Sequence, residues 1–180
     1  MAITKLQAES LNLADDFTFT GTVAGAGGNN RPAFQATMSA DQTLSDNTLT
    51  KIQFNQETFD TDGCYDPTTN YRFTPTTAGK YFFITTLNHL NNYNAGRSVV
   101  LYIYKNGSPA YAQYHYNNDD YGSANFITLT TEAIIDMNGS TDYVEVYATI
   151  DVIGGLIIVD AEFGATGAKA TVFKGFKIIT

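Results

Sequence analysis

Between Val99 and Tyr104 the chain reads Val-Val-Leu-Tyr-Ile-Tyr, six large side chains with no polar residue among them. In an extended strand successive side chains point to opposite faces. Val99, Leu101 and Ile103 therefore go one way, and Val100, Tyr102 and Tyr104 the other. Tyr81-Phe82-Phe83-Ile84 repeats the arrangement. An antiparallel strand with one wet face alternates apolar with polar residues, so strands like these need cover on both faces. Helices do not supply it, because no window of a dozen residues sustains apolar spacing at i, i+3, i+4 and i+7. One face must pack on an opposing sheet; for the other, the pattern predicts a further copy of the chain.

The remaining sequence predicts an all-β fold. Runs rich in Val, Ile, Thr, Tyr and Phe occur at 33–40, 50–54, 81–87, 98–105, 110–116, 126–132, 143–150, 156–159 and 172–179, with another short one at Phe73. Eight to ten short strands at this spacing predict a sandwich or barrel. Turn residues separate them at Asn138-Gly139, Gly154-Gly155 and Lys105-Asn106-Gly107-Ser108. The last is a hairpin signal, because Asn-Gly accepts the positive φ angles of a type I′ turn. The front of the chain differs. Leu11 and Leu13, then Phe17 and Phe19, alternate with polar residues and lead into Ala24-Gly25-Ala26-Gly27-Gly28-Asn29-Asn30. Such a stretch holds too few apolar residues for its own core and ends in a flexible linker. It predicts an attachment or stalk segment over 1–30, ahead of a globular unit over 31–180.

Charge narrows the partners. Ten Lys and Arg against 18 Asp and Glu give a net charge of −8. An acidic surface repels phosphate backbones and anionic lipid, so nucleic acid is not an expected partner. Nor is membrane insertion, since no stretch approaches the ~20 apolar residues of a spanning helix. Met1 to Ser10 lacks the apolar core of an export signal, which predicts a soluble protein made without classical export. The single cysteine, Cys64, excludes an intrachain disulfide and leaves a buried thiol or a bridge between chains.

Catalytic chemistry finds little footing. His89 and His115 lie in Asn- and Tyr-rich stretches, with no Gly-x-Ser-x-Gly elbow in the chain. The carboxylate pairs Asp119-Asp120 and Asp60/Asp62 would need to face each other across a cleft to hydrolyse a glycoside. The expectation is a protein that is not an enzyme. Asp60-Thr61-Asp62-Gly63 opens like a calcium loop, but Tyr71 stands where the closing Glu would be required, and a loop Asx turn is the favoured reading. No cofactor is assigned. The stretch from Tyr111 to Tyr121 combines aromatic faces with polar acceptors, a composition suited to sugars or to protein recognition. Tyr111, His115, Asn117, Asn118, Asp119, Asp120 and Tyr121 are the candidate receptor or glycan contacts. The competing reading is a strand that buries Tyr114 and Tyr116, followed by an exposed turn.

From Ala33 onward several motifs occur in a familiar order: Ala33-Phe34-Gln35-Ala36, Lys51-Ile52-Gln53-Phe54-Asn55, Asp62-Gly63-Cys64-Tyr65-Asp66, Phe73-Thr74-Pro75 through Gly79-Lys80-Tyr81-Phe82-Phe83, Leu101-Tyr102-Ile103-Tyr104-Lys105-Asn106-Gly107, Asp142-Tyr143-Val144-Glu145-Val146, and Phe173-Lys174-Gly175-Phe176-Lys177-Ile178. Together they resemble the C1q/TNF-like jelly-roll domain, although Thr141 stands where that family usually has glycine. The resemblance implies a ten-stranded jelly-roll sandwich packed as a homotrimer about a threefold axis. Tyr81, Phe83, Tyr102, Tyr104, Phe173 and Phe176 are the expected contacts between subunits. Some members hold structural calcium near the trimer apex; no motif here assigns such ligands.

The front segment, Leu11-Asn12-Leu13-Ala14-Asp15-Asp16-Phe17-Thr18-Phe19-Thr20-Gly21-Thr22-Val23, resembles a segment of bacteriophage tail and fibre proteins. That resemblance implies a virion structural protein, a trimeric knob on a fibre, tail or capsid decoration, exposed on the particle surface. Leu11, Leu13, Phe17 and Phe19 would join it to other virion proteins, and the knob would contact a host surface glycan or protein. The alternative is a free bacterial lectin of the same fold that binds carbohydrate.

Overall fold

The structure, a computed structural model, describes residues 30–91, 96–116, 126–152, 157–163 and 167–178. Leu11, Leu13, Phe17 and Phe19, the 117–121 part of the candidate contact stretch, and the Gly154-Gly155 turn lie outside the described residues. Within them the chain forms strands and no helix: β1 (Ala33–Thr37), β2 (Gln42–Leu44), β3 (Thr50–Lys51), β4 (Gln56–Asp60), β5 (Tyr65–Asp66), β6 (Arg72–Phe73), β7 (Gly79–Asn91), β8 (Gly96–Lys105), β9 (Ser108–Tyr116), β10 (Phe126–Met137), β11 (Val144–Val152), β12 (Ile157–Val159) and β13 (Val172–Lys177).

The strands make two antiparallel sheets. In the first, β7 pairs with β10 along nearly its whole length. Its other edge pairs with β13 over Tyr81–Thr86 and with β12 over His89–Asn91. The sheet continues from β13 to β1 and β4, and from β12 to β2. The second sheet runs β5-β6-β11-β8-β9, with β3 also on β11. Asn106 (φ 52°) and Gly107 (φ 77°) both sit at positive φ, as a type I′ hairpin between β8 and β9 requires.

Three strands were not foreseen in the sequence: β2, β4 and β5. Gln56-Glu57-Thr58-Phe59-Asp60 is polar apart from Phe59 because β4 is an exposed edge, and β2 and β5 are too short to show a period. The run at 50–54 is a two-residue strand, after which Ile52 still donates its N–H to the Val146 carbonyl at 3.0 Å.

Alternation decides the core. In β7 the odd-numbered Tyr81, Phe83 and Leu87 are fully buried between the sheets. Phe173 of β13 packs among Phe34, Phe54, Tyr65 and Phe83, with ring centroids 4.9, 5.7, 6.3 and 6.1 Å away. Phe34 stacks in turn on Phe73 at 4.5 Å. Gly175 passes beneath this cluster. A Cβ there would lie 2.6 Å from a Phe83 ring carbon and 2.9 Å from the Phe82 carbonyl oxygen, so only glycine lets β13 lie against β7.

The register also sorts the two ends of the sandwich. Ala33 pairs with Phe176, and Phe176 with Phe82, so the chain enters β1 beside the start of β7. The Asn106-Gly107 turn is at this end too, since Lys105 donates to the Asp136 carbonyl at 2.7 Å. The far end of β7 pairs with the first residues of β10 and β12. The strand ends that flank 92–95, 117–125 and 153–156 therefore lie at the opposite pole.

Candidate functional site

The outward face of the first sheet carries a cross-strand row of Ile134, Phe82, Phe176 and Ala33. The next row is Glu132, Ile84, Lys174, Gln35 and Phe59. Ile134, Phe59 and Phe176 are 55%, 46% and 37% exposed, which is unusual for large apolar side chains on a sheet. Phe82 leans on Phe176 with ring centroids 5.7 Å apart, and a 330 Å³ groove opens between Phe59, Phe82, Ile84 and Phe176. At the near end the band is bounded by the Lys80–Asp136 ion pair at 2.8 Å. At the other it gives way to hydroxyls, where Thr86 and Thr130 bond at 3.0 Å. Nothing in the described chain covers this apolar band.

This placement corrects half of the expected subunit contacts. Tyr81, Phe83 and Phe173 are wholly buried inside their own protomer, so no neighbour reaches them. Phe82 and Ile84, one residue over, are the outward ones. The two-residue period separates these sets without saying which faces in. A usable signal stood in β10, where Ile134 is the one apolar residue on the outward parity between Thr128 and Asp136.

Tyr102 and Tyr104 lie on the outward face of the second sheet, across the sandwich from Phe176. Tyr104 packs against Tyr102 at 5.9 Å and against Tyr147 of β11 at 4.5 Å. Beneath these rings Glu145 is 3% exposed although it stands on an outward position. Its carboxylate takes Lys51 and the Tyr147 hydroxyl, the latter at 3.2 Å, which compensates its desolvation. The Glu145 carboxylate holds the Lys51 amine protonated above its usual range, against the opposing pull of burial. Beside them Arg72 lies over the Tyr143 ring, 4.3 Å from its centroid.

On β9, Tyr111 and Tyr114 are 48% and 56% exposed, so the reading in which the strand buries Tyr114 is wrong for that residue. β9 is the edge of its sheet, and every residue from Tyr111 to His115 is exposed, so alternation does not sort it. His115 is also exposed. The loop from Asp60 to Tyr65 is closed by its own backbone. Asp60 accepts the N–H groups of Asp62 and Tyr65, and Asp62 pairs with Arg31 at 3.1 Å. Among the described residues no group of three or more His, Cys, Asp or Glu is placed to hold a metal ion. Cys64 is a buried free thiol whose pKa burial raises, leaving a weak nucleophile. His89 is fully buried, with Nδ1 3.0 Å from the Ile158 carbonyl and no partner for Nε2 among the described residues. Burial depresses its pKa, and a neutral imidazole sealed from solvent cannot exchange protons with a substrate.

Asp160 is the one described carboxyl whose pKa is pushed up, to about 6, first by burial and then by the charge of Asp41. It accepts a hydrogen bond from the Asn88 amide at 3.2 Å. A carboxyl with a raised folded pKa binds its proton more tightly in the fold than in the unfolded chain. Its stabilising effect is complete below about 4 and is lost as the pH rises through about 6. Asp160→Asn should therefore raise the melting midpoint at pH 7 by roughly 2–4 °C. The gain should shrink to nothing by pH 4, as read from paired melting curves.

The sequence model of the C1q domain matches residues 33–178. Among solved structures, the crystal structure of murine APRIL at pH 5.0 superposes with a TM-score of 0.56 at 7% identity, covering 81% of this chain and 98% of that one. The structure of Eiger TNF from S. frugiperda gives 0.54 at 8% identity, covering 83% and 94%. No curated protein matches the sequence. At these identities the structures speak for the jelly-roll fold alone.

Proposed function

We propose, from the premise that the chain belongs to the C1q domain family, that it works as a homotrimeric knob displayed on a bacteriophage particle. Domains of this family commonly form trimers and typically serve as binding or structural modules rather than enzymes. The observation that carries the assembly is the apolar band of Phe59, Phe82, Ile84, Ile134 and Phe176 on a sheet face with no cover of its own. Bands of this kind mark contact surfaces, and a further copy of the chain is the cover the double-sided strands called for.

The particle role is supported by the resemblance of Leu11 to Val23 to tail and fibre segments, and by the two poles. β1, the first described strand, begins beside the start of β7, while the strand ends flanking 117–125 lie at the far end. One pole would be tied to other virion proteins and the other would meet the host surface. Three identical weak contacts on one trimer bind a repetitive surface far more tightly than one. Deleting residues 2–23 should leave the solution mass at three protomers while phage assembled with that chain lack it on immunoblots. Particles that retain the shortened chain would sink the attachment role, and a monomeric intact chain would sink the knob.

A further inference from the structure

The outward face of the second sheet combines ring faces with a cation that has no anion among the described residues. Arg31, Lys51, Lys80, Lys105 and Lys169 each sit on a carboxylate. Arg72 has no carboxylate within ion-pair reach among the described residues, although acids flank it on both sides. Asp66 and Glu145 are its cross-strand neighbours. Asp66 spends both oxygens on its own turn, taking the N–H groups of Thr68, Thr69 and Asn70 and the Asn70 amide. Glu145 spends its oxygens on Lys51 and Tyr147. The guanidinium instead lies over the Tyr143 ring, 4.3 Å from its centroid. Its N–H donors meet no acceptor among the described residues. A guanidinium resting on an aromatic ring with unused donors can make a two-point bond to an external carboxylate through its planar fork.

The rest of the face says what carries that carboxylate. Tyr104, Glu145 and Arg72 form one cross-strand row. Tyr102, Tyr147 and Lys51 form another, two residues along β11. Strands repeat at about 4.8 Å, so Tyr104 and Arg72 stand roughly 10 Å apart. Partly exposed tyrosine rings offer flat surfaces for the C–H faces of sugar rings, and their hydroxyls can meet sugar hydroxyls. We infer that this face binds an acidic oligosaccharide. Sugar rings lie on Tyr102, Tyr104 and Tyr147, and a uronic acid carboxylate is taken by Arg72. The site rests on the proposed surface-binding role only in supposing that the ligand is external.

The test is calorimetric titration of the full chain with a galacturonate hexamer, a neutral galactose hexamer and a glutamate hexapeptide. Galacturonate should bind, and Arg72→Gln and Tyr104→Ala should each weaken it about tenfold, the scale of one lost charge-assisted contact. Arg72→Lys, which keeps the charge but not the planar fork, should recover only part of the loss. Lys174→Gln, on the other sheet, should change nothing. No heat at millimolar galacturonate overturns the inference. So does equal binding of the glutamate peptide, equal loss in Lys174→Gln, or a variant at Tyr104 that splits the assembly, which would make the face a subunit contact. A trimer that ignores galacturonate sinks this site and leaves the knob; a monomer that binds it does the reverse.

Discussion

If the proposed trimer forms, a chain carrying both Ile134→Asp and Phe176→Asp is expected to run at the mass of one protomer in light scattering, and the unmodified chain at three. Both side chains point away from their own core, at 55% and 37% exposure, so the change should spare the fold and strike the contact. Buried against a neighbour, each aspartate would replace an apolar contact with a carboxylate that has no partner. Truncations at well-packed contacts cost about 2 kcal/mol or more, and two together, about 4 kcal/mol, weaken association roughly a thousandfold. A double variant that still runs at three protomers with an unchanged circular dichroism spectrum would show that subunits meet elsewhere.

Phe173→Ala should be the most damaging single change inside the protomer. The ring touches four other aromatic residues and has no solvent exposure. Removing a buried phenyl ring costs about 3–5 kcal/mol, part transfer and part unfilled cavity. Against a total of about 5–15 kcal/mol for a typical domain, that is enough to bring the urea midpoint down steeply at an unchanged slope. Phe176→Ala, three residues along the same strand but outward, should move the midpoint far less. Equal losses at the two positions would mean that the inward and outward assignment of β13 is wrong.

Much of the architecture could be read in advance because it depends on local chemistry. Asn106-Gly107 announces its turn through residues that tolerate positive φ, and both angles are positive. The strands β7, β8 and β11 announce themselves through length and apolar content. What escaped was what depends on the other layer. Nothing within Tyr81-Phe82-Phe83-Ile84 says which parity meets the opposite sheet, and the expected subunit contacts at Tyr81 and Phe83 fell on the wrong one. β4 escaped because an edge strand that pairs only with β1 can be mostly polar, with Phe59 its single apolar residue. The tyrosine face was half legible. Tyr102 and Tyr104 are neighbours by parity, but Tyr147, Lys51 and Arg72 join them only through pairings distant in sequence.

The position of β13 has a consequence for how the protein is made. Thirteenth in chain order, it lies between β1 and β7 in the middle of its sheet. A ribosome adding about 5–20 residues per second takes on the order of ten seconds to get from residue 37 to residue 177. Through that interval β1 and the first half of β7 each lack a partner along one edge, the kind of opening that recruits strands from other chains. Phe173 closes the aromatic cluster, and Phe176 on the same strand completes the outward band. In the proposed trimer, each nascent chain would finish its own interior as it acquires the surface that meets its neighbours, which would keep unfinished chains out of the assembly.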